Sequence, residues 1–153
     1  MTVAFRGRFE HTVDAKGRTS LPARWRDELA KNGESQLVIT MSFSARCLVA
    51  YPMREWEAFE ERLAALPSFD NDVIALKRRY ISPAVECEVD KLGRVLLPSK
   101  LRDYAELTRD VLWAGMGKNV ELWDKARFEA VTEAPLEEAV QQAMGQRLAG
   151  LGL

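Results

Sequence analysis

One histidine and two cysteines stand among 153 residues, and that scarcity removes several classes of chemistry at once. Zinc and other transition-metal centres draw on recurrent Cys and His ligands at characteristic spacing, and no CxxC or HExxH pattern occurs. Cys47 and Cys87 are too few for a disulfide framework in a chain long enough to fold without one, so both read as small buried hydrophobes in a reducing compartment. His11 reads as a strand residue. No apolar run reaches the roughly 18 residues of a bilayer span, and the opening MTVAFRGRFE lacks the apolar stretch of a signal peptide. A soluble, cytoplasmic protein is expected. Net charge is only −1, so any basic surface must be local. Walker-type, GxGxxG and GxSxG motifs are absent, and no nucleophile and base pair can be named, so an enzyme is not expected. Gly115-Met116-Gly117-Lys118-Asn119 lacks the Ser or Thr of a phosphate loop and reads as a hairpin turn.

What is present is a duplication. VDAKGRTSLPARWRD at Val13 to Asp27 returns 76 residues later as VDKLGRVLLPSKLRD at Val89 to Asp103. Val13, Asp14, Gly17, Arg18, Leu21, Pro22, Arg26 and Asp27 recur as Val89, Asp90, Gly93, Arg94, Leu97, Pro98, Arg102 and Asp103. Each copy begins with a short strand, Phe9 to Val13 or Val85 to Val89. An Asp and a glycine suited to positive φ then make a turn, Asp14 to Gly17 or Asp90 to Gly93. After a second strand, Pro22 or Pro98 is placed at the first position of a short helix. Two further strands follow in each half, LVITM and CLVAY, then VLWAG and VELW. The 3.6-residue spacing of Met53, Trp56, Phe59, Leu63 and Leu66 predicts a helix from Pro52 to Leu66. A second helical stretch runs from Asn71 to Tyr80, Asp124 caps a helix containing Phe128 and Val131, and Leu136 to Leu148 form a last helix. The aromatic residues Trp25, Trp56, Phe59, Trp113 and Trp123 read as packing. The organisation expected is a first half at 1–66, a connecting helical segment at 67–84, a second half at 85–135, and a C-terminal helix and tail at 136–153.

Asp-x-x-x-Arg, present twice across a glycine turn, is the feature with chemical content. The carboxylate of Asp14 or Asp90 is spaced to hold the guanidinium of Arg18 or Arg94 in one direction, where it can read guanine edges or clamp phosphate. The plainer alternative is a capped turn with a surface ion pair. Arg6, Arg8, Lys16, Arg24 and Arg26 surround the first motif, and Lys91, Lys100 and Arg102 the second. Acidic residues gather elsewhere, at Glu55, Glu57, Glu60 and Glu61 and at Glu133, Glu137 and Glu138. That division suggests a basic face and an acidic back, with an evenly mixed surface as the alternative. Two functions stand against each other: a DNA-binding regulator, and an oligomeric protein-interaction scaffold whose arginines serve subunit contacts.

The residues resemble the MraZ family over essentially the whole chain. The likeness rests on FRG at Phe5 to Gly7, VDAKGR and LPARWR, YISPAVEC at Tyr80 to Cys87, VDKLGRVLLP, and VELWD at Val120 to Asp124. The resemblance implies an α+β, mainly β fold: two AbrB-like halves forming a pseudo-twofold swapped-hairpin β-barrel with peripheral helices, with several chains closing into a ring. It also implies a nucleoid-associated transcriptional regulator that binds short direct repeats in the promoter of a bacterial division and cell-wall gene cluster, with no cofactor, small-molecule substrate or membrane partner. By the same resemblance the DNA-binding positions are Asp14, Lys16, Arg18, Asp90 and Arg94. Lys91 stands in for the lysine that Leu92 replaces, Gly17 and Gly93 are the turn glycines, and Arg6, Arg8, Arg24 and Lys100 are supporting cations. Because Leu92 occupies the place of Lys16, the two halves are expected to contribute unequally.

Overall fold

A proline stands immediately before three of the helices, and each sets where its helix begins. A computed structural model describes residues 4–153. Pro22, Pro52 and Pro98 have φ between −51° and −58° and extended ψ, so each is the residue before the first helical one. The expected helix starts at Pro22 and Pro98 are therefore one residue too early, since the first helical residues are Ala23 and Ser99. Their extended ψ still leaves the carbonyl free to accept, and Pro22 O takes the amides of Trp25 and Arg26 as Pro98 O takes those of Leu101 and Arg102.

In chain order the elements are β1 (Arg8–Thr12), β2 (Arg18–Ser20), α1 (Ala23–Lys31), β3 (Gln36–Met41), β4 (Leu48–Pro52), α2 (Met53–Ala64) and α3 (Asn71–Leu76). A π-helical turn, Lys77–Ile81, continues α3. There follow β5 (Val85–Glu88), β6 (Arg94–Leu96), α4 (Ser99–Tyr104), β7 (Asp110–Gly115), β8 (Val120–Asp124), α5 (Lys125–Glu133) and α6 (Glu138–Gly150). Pro52 gives α2 no side-chain cap, and there a distant group supplies one: the Glu34 carboxylate accepts from the amides of Met53 and Arg54. Asp124, as expected, caps α5 through Arg127 N, and it also takes the hydroxyl of Thr108 at 2.7 Å.

Six strands form one antiparallel sheet in the order β1-β7-β8-β4-β3-β5. Chain repetition and strand pairing do not coincide. β1 of the first half pairs with β7 of the second, β5 of the second half pairs with β3 of the first, and β4 meets β8 at the centre. The two remaining short strands, β2 and β6, pair only with each other and form a separate antiparallel ribbon. The expected barrel is corrected on this point: among the described residues the sheet is open. Its edges are β1 and β5, whose exposed Arg8, Glu10, Glu86 and Glu88 discourage further pairing. The β2 and β6 strands are three residues each, too short to bridge those edges, and a single bridge, Val13 to Thr19, links the ribbon to the strand before it.

The central strands are apolar on both faces because both faces are covered. On one side Leu37, Ile39, Leu48, Ala50, Val111, Trp113 and Leu122 pack with Trp25 and Leu29 of α1, Leu101 of α4, and Val95 of the ribbon. Trp25 and Trp113 meet edge to face with centroids 6.2 Å apart, the geometry their ring quadrupoles favour. On the other side Val38 and Tyr51 pack with Trp56 of α2 and Tyr80, and Leu112, Ala114 and Trp123 pack with Phe128 of α5. The tryptophans are thus packing residues, as expected. Both cysteines are buried and unpaired, and burial pushes the thiols up to about 12 for Cys47 and about 11 for Cys87. His11 lies in β1 opposite Val111. The Gly115 to Asn119 segment is a hairpin turn closed by Met116 N donating to Asn119 O. No helix among the described residues is long and apolar enough to cross a membrane.

Candidate nucleic-acid interface

Each Asp-Gly turn is held from within by its aspartate. Asp14 Oδ1 accepts from the amides of Lys16 and Arg18, both at 2.9 Å, while Oδ2 accepts from Arg18 Nε at 2.8 Å. Asp90 repeats this with the amides of Leu92 and Arg94, at 2.9 and 2.8 Å, and with Arg94 Nε at 3.0 Å. The arrangement follows from local spacing: an aspartate at the start of a tight turn reaches the amides two and four residues on. Donation to Asp14, above all by the Arg18 amide, holds its carboxyl down to about 2, and the same bonds from Arg94 lower that of Asp90. Both carboxylates are therefore ionised throughout the neutral range. Each engages its arginine through Nε and leaves the two terminal nitrogens of the guanidinium without an acceptor among the described residues.

The tertiary structure then joins the two turns into one surface. In the β2–β6 ribbon Arg18 stands opposite Leu96, Thr19 opposite Val95, and Ser20 opposite Arg94. Opposed residues share a face and successive ones alternate. Thr19 and Val95, at 1% and 0% exposure, point into the core, so Arg18, Ser20, Arg94 and Leu96 form the outer face. The two arginines are diagonal neighbours there, with Cα atoms roughly 7–8 Å apart. The turns flank the ribbon at opposite ends. Trp113 Nε1 donates to Ser20 O at 3.0 Å and pins the ribbon to the sheet beneath it.

Each half also braces the other's turn. Leu21 N donates to Gly93 O and Leu97 N to Gly17 O, both at 2.8 Å. Gly17 and Gly93 adopt φ of +88° and +79°, and a Cβ on either would run into the guanidinium of Arg102 or Arg26 respectively, contributed by the opposite half. Arg102 Nε donates to Leu97 O at 3.1 Å. Sequence reasoning counted Arg26 and Arg102 as general positive charge. Their recurrence at the same repeat positions as the glycines was the available signal that they belong to the turns.

The remaining expected residues are distributed unevenly. Lys16 and Lys91 are exposed on the two turns, and Arg24 and Lys100 are exposed in the first turn of α1 and of α4, four residues beyond the ends of β2 and β6. Arg6 is exposed next to the Phe5–Gly117 bridge, its carbonyl accepting from Trp25 Nε1. Arg8 is not brought to the ribbon. It pairs with Ala114 on the other face of the sheet, and its guanidinium lies 4.9 Å from the Phe128 ring centroid, a cation–π contact under α5. That face also carries α2 with exposed Glu57, Glu60 and Glu61, so the acidic helix lies across the sheet from the paired arginines.

Comparison with known proteins agrees with this two-part architecture. The model of the MraZ protein family matches the chain twice, over residues 4–79 and 80–148. A protein of a Marinomonas species named "Transcriptional regulator MraZ" is 42% identical over 134 residues, covering 88% of this chain and 89% of its own. Proteins of the same name from Geotalea uraniireducens and Pseudomonas fluorescens are 45% and 42% identical, each over more than four-fifths of both chains. With tandem matches across nearly its whole length and relatives of this similarity, the chain belongs to the MraZ family.

Proposed function

We propose that the chain is a transcriptional regulator that docks the β2–β6 ribbon, with its flanking turns, into the major groove of promoter DNA. The observation that carries this reading is the pair of aspartate-anchored arginines on one outward face. A two-stranded ribbon fits a major groove about 12 Å wide, and arginine forks donate to O6 and N7 of guanine. Anchoring at Nε fixes each fork before binding, so little side-chain entropy is lost when the terminal nitrogens meet bases or phosphates. Lys16, Lys91, Arg24 and Lys100 add phosphate attraction around this face. The relatives' name, transcriptional regulator, supports the same reading.

The exchange of β1 and β5 between halves is read as the AbrB-like swapped-hairpin arrangement, with the halves at 1–66 and 85–135 acting as an internal pseudo-dimer around the connecting segment 67–84. The targets are short direct repeats in the promoter of a division and cell-wall gene cluster, reached by a nucleoid-associated protein in the cytoplasm. A closed ring of chains would present ribbons at regular intervals and bind adjacent repeats with raised effective concentration. One observation favours assembly: α6 and the segments beside it keep Leu136, Val140, Met144 and Leu148 exposed along one side at four-residue intervals.

Fluorescence anisotropy with the chain's own upstream DNA tests the site. Arg18→Ala and Arg94→Ala should each weaken binding about 5- to 150-fold, the equivalent of about 1–3 kcal/mol per base contact. Wild-type affinity should fall as salt rises. Unchanged affinity in the double variant would remove the ribbon from DNA binding. Loss of assembly in the same variants, seen by size-exclusion chromatography, would favour the scaffold reading.

A further inference from the structure

Two large apolar side chains stand out on the arginine-bearing surface. Leu96, 58% exposed, lies on the outer face of the ribbon directly opposite Arg18, and Leu92, 68% exposed, sits in the second turn. Their counterparts in the first half are Ser20 and Lys16, so both departures from the repeat are in the same direction, polar in one half and apolar in the other. Neither leucine belongs to the hydrophobic core, into which the ribbon sends Thr19 and Val95 instead.

We infer that Leu96, assisted by Leu92, is a specificity-determining contact for the C5-methyl group of thymine, which makes the second half of the chain a thymine reader and leaves the first half indifferent to that group. This inference rests on the proposed docking of the ribbon in DNA. The thymine methyl is the apolar feature of the base edges in the major groove, whereas a leucine set against a cytosine amino group or a purine N7 would strip water from a polar atom without replacing its hydrogen bond. Charge complementarity selects the occupant of this face: Asp14 and Asp90 balance the two anchored guanidinium groups, and the exposed Lys16, Arg24, Lys91 and Lys100 around them, none in an ion pair among the described residues, attract a polyanion. Distance fits as well. Cross-strand Cβ atoms are about 4.5–5.5 Å apart, and base pairs rise about 3.4 Å per step. Leu96 therefore falls within one or two base steps of whatever Arg18 touches.

The test uses two versions of the chain's upstream duplex, one with thymine and one with uracil at every thymine position. Uracil pairs identically and lacks only the methyl group. Wild-type protein should bind the uracil duplex roughly three- to fourfold more weakly for each methyl contacted. The double variant Leu92→Ala/Leu96→Ala should bind both duplexes equally. Both side chains are exposed, so the variant should fold, and a thermal melt checks that it does. Wild-type indifference to the methyl group would overturn the inference. So would a double variant that keeps the wild-type ratio, which would trace the preference to another contact or to duplex stiffness. A changed elution volume with that ratio retained would assign the leucines to a second copy of the chain. Arg18→Ala/Arg94→Ala separates the two levels of argument: if that variant binds thymine DNA as wild type does, the docking itself fails. If it loses binding while the wild-type ratio is one, only the thymine contact fails.

Discussion

Replacing Gly93 with alanine tests whether the two halves lock each other's turns. Gly93 has φ +79°, a conformation that costs an L residue about 1–2 kcal/mol. A Cβ there would also lie 2.5 Å from Arg26 Cδ and Cζ, and closer still to Nη1, so the arginine must move. Displacing a packed group in this way adds about 1–3 kcal/mol. Together these predict a loss of about 2–5 kcal/mol, or about 4–20 °C in Tm for a chain of this size. Gly33 is the internal control. It has φ +71° but nothing within 4 Å of an added Cβ, so Gly33→Ala should show the backbone contribution alone, about 1–2 kcal/mol. The decisive assay is a double-mutant cycle in denaturant at fixed protein concentration, because assembly would shift apparent stability. Arg26→Ala removes the obstructing group, and its Nε is buried without a hydrogen-bond partner among the described residues, so little bonding is lost with it. Gly93→Ala should cost about 1–3 kcal/mol less in the Arg26→Ala background than alone, whereas Gly33→Ala should be unaffected by Arg26→Ala. Equal costs for Gly93→Ala in both backgrounds would refute the cross-half brace.

Carboxyl-detected NMR titration should find Asp14 with a pKa of about 2, against 3.8 for a free side chain. Because the folded value is the lower one, the turn's contribution to stability is complete above about pH 4 and is lost as pH falls toward 2. Arg18→Ala should raise the Asp14 value only part of the way, since the Arg18 amide is the principal cause and survives the substitution, and a wild-type value near 3.8 would contradict the turn geometry. Truncation after Ala134 should leave the near-ultraviolet circular dichroism of Trp25, Trp56, Trp113 and Trp123 unchanged, because every residue beyond Ala134 is exposed. A changed signal with unaltered elution volume would mean that α6 packs on its own chain.

The Asp14 and Asp90 turns were readable from residues four apart, because every bond that the two carboxylates make lies within five consecutive positions. The Pro22 and Pro98 helix starts were readable for the same reason and erred by one residue, where an extended ψ and a helical one are equally open to proline. Arg8 shows the opposite case. By sequence it belongs with the other cations of the first motif, yet strand alternation and the pairing with Ala114 carry it to the face under α5.

Sequence alone determined the duplication, the two anchored arginines and the sites of the helices, since these depend on short-range hydrogen bonding, backbone sterics and hydrophobic period. Which strand pairs with which was decided only in three dimensions. β3 and β7 are both near-continuous apolar runs and β1 and β5 both alternate with charged residues, so either edge strand suits either inner one by pattern, and the choice rests on burial summed over both faces of the sheet. That choice leaves the barrel open and moves Arg26 and Arg102 onto the opposite half's glycines. It also sets β2 against β6, which turns two motifs 76 residues apart into neighbours on one face.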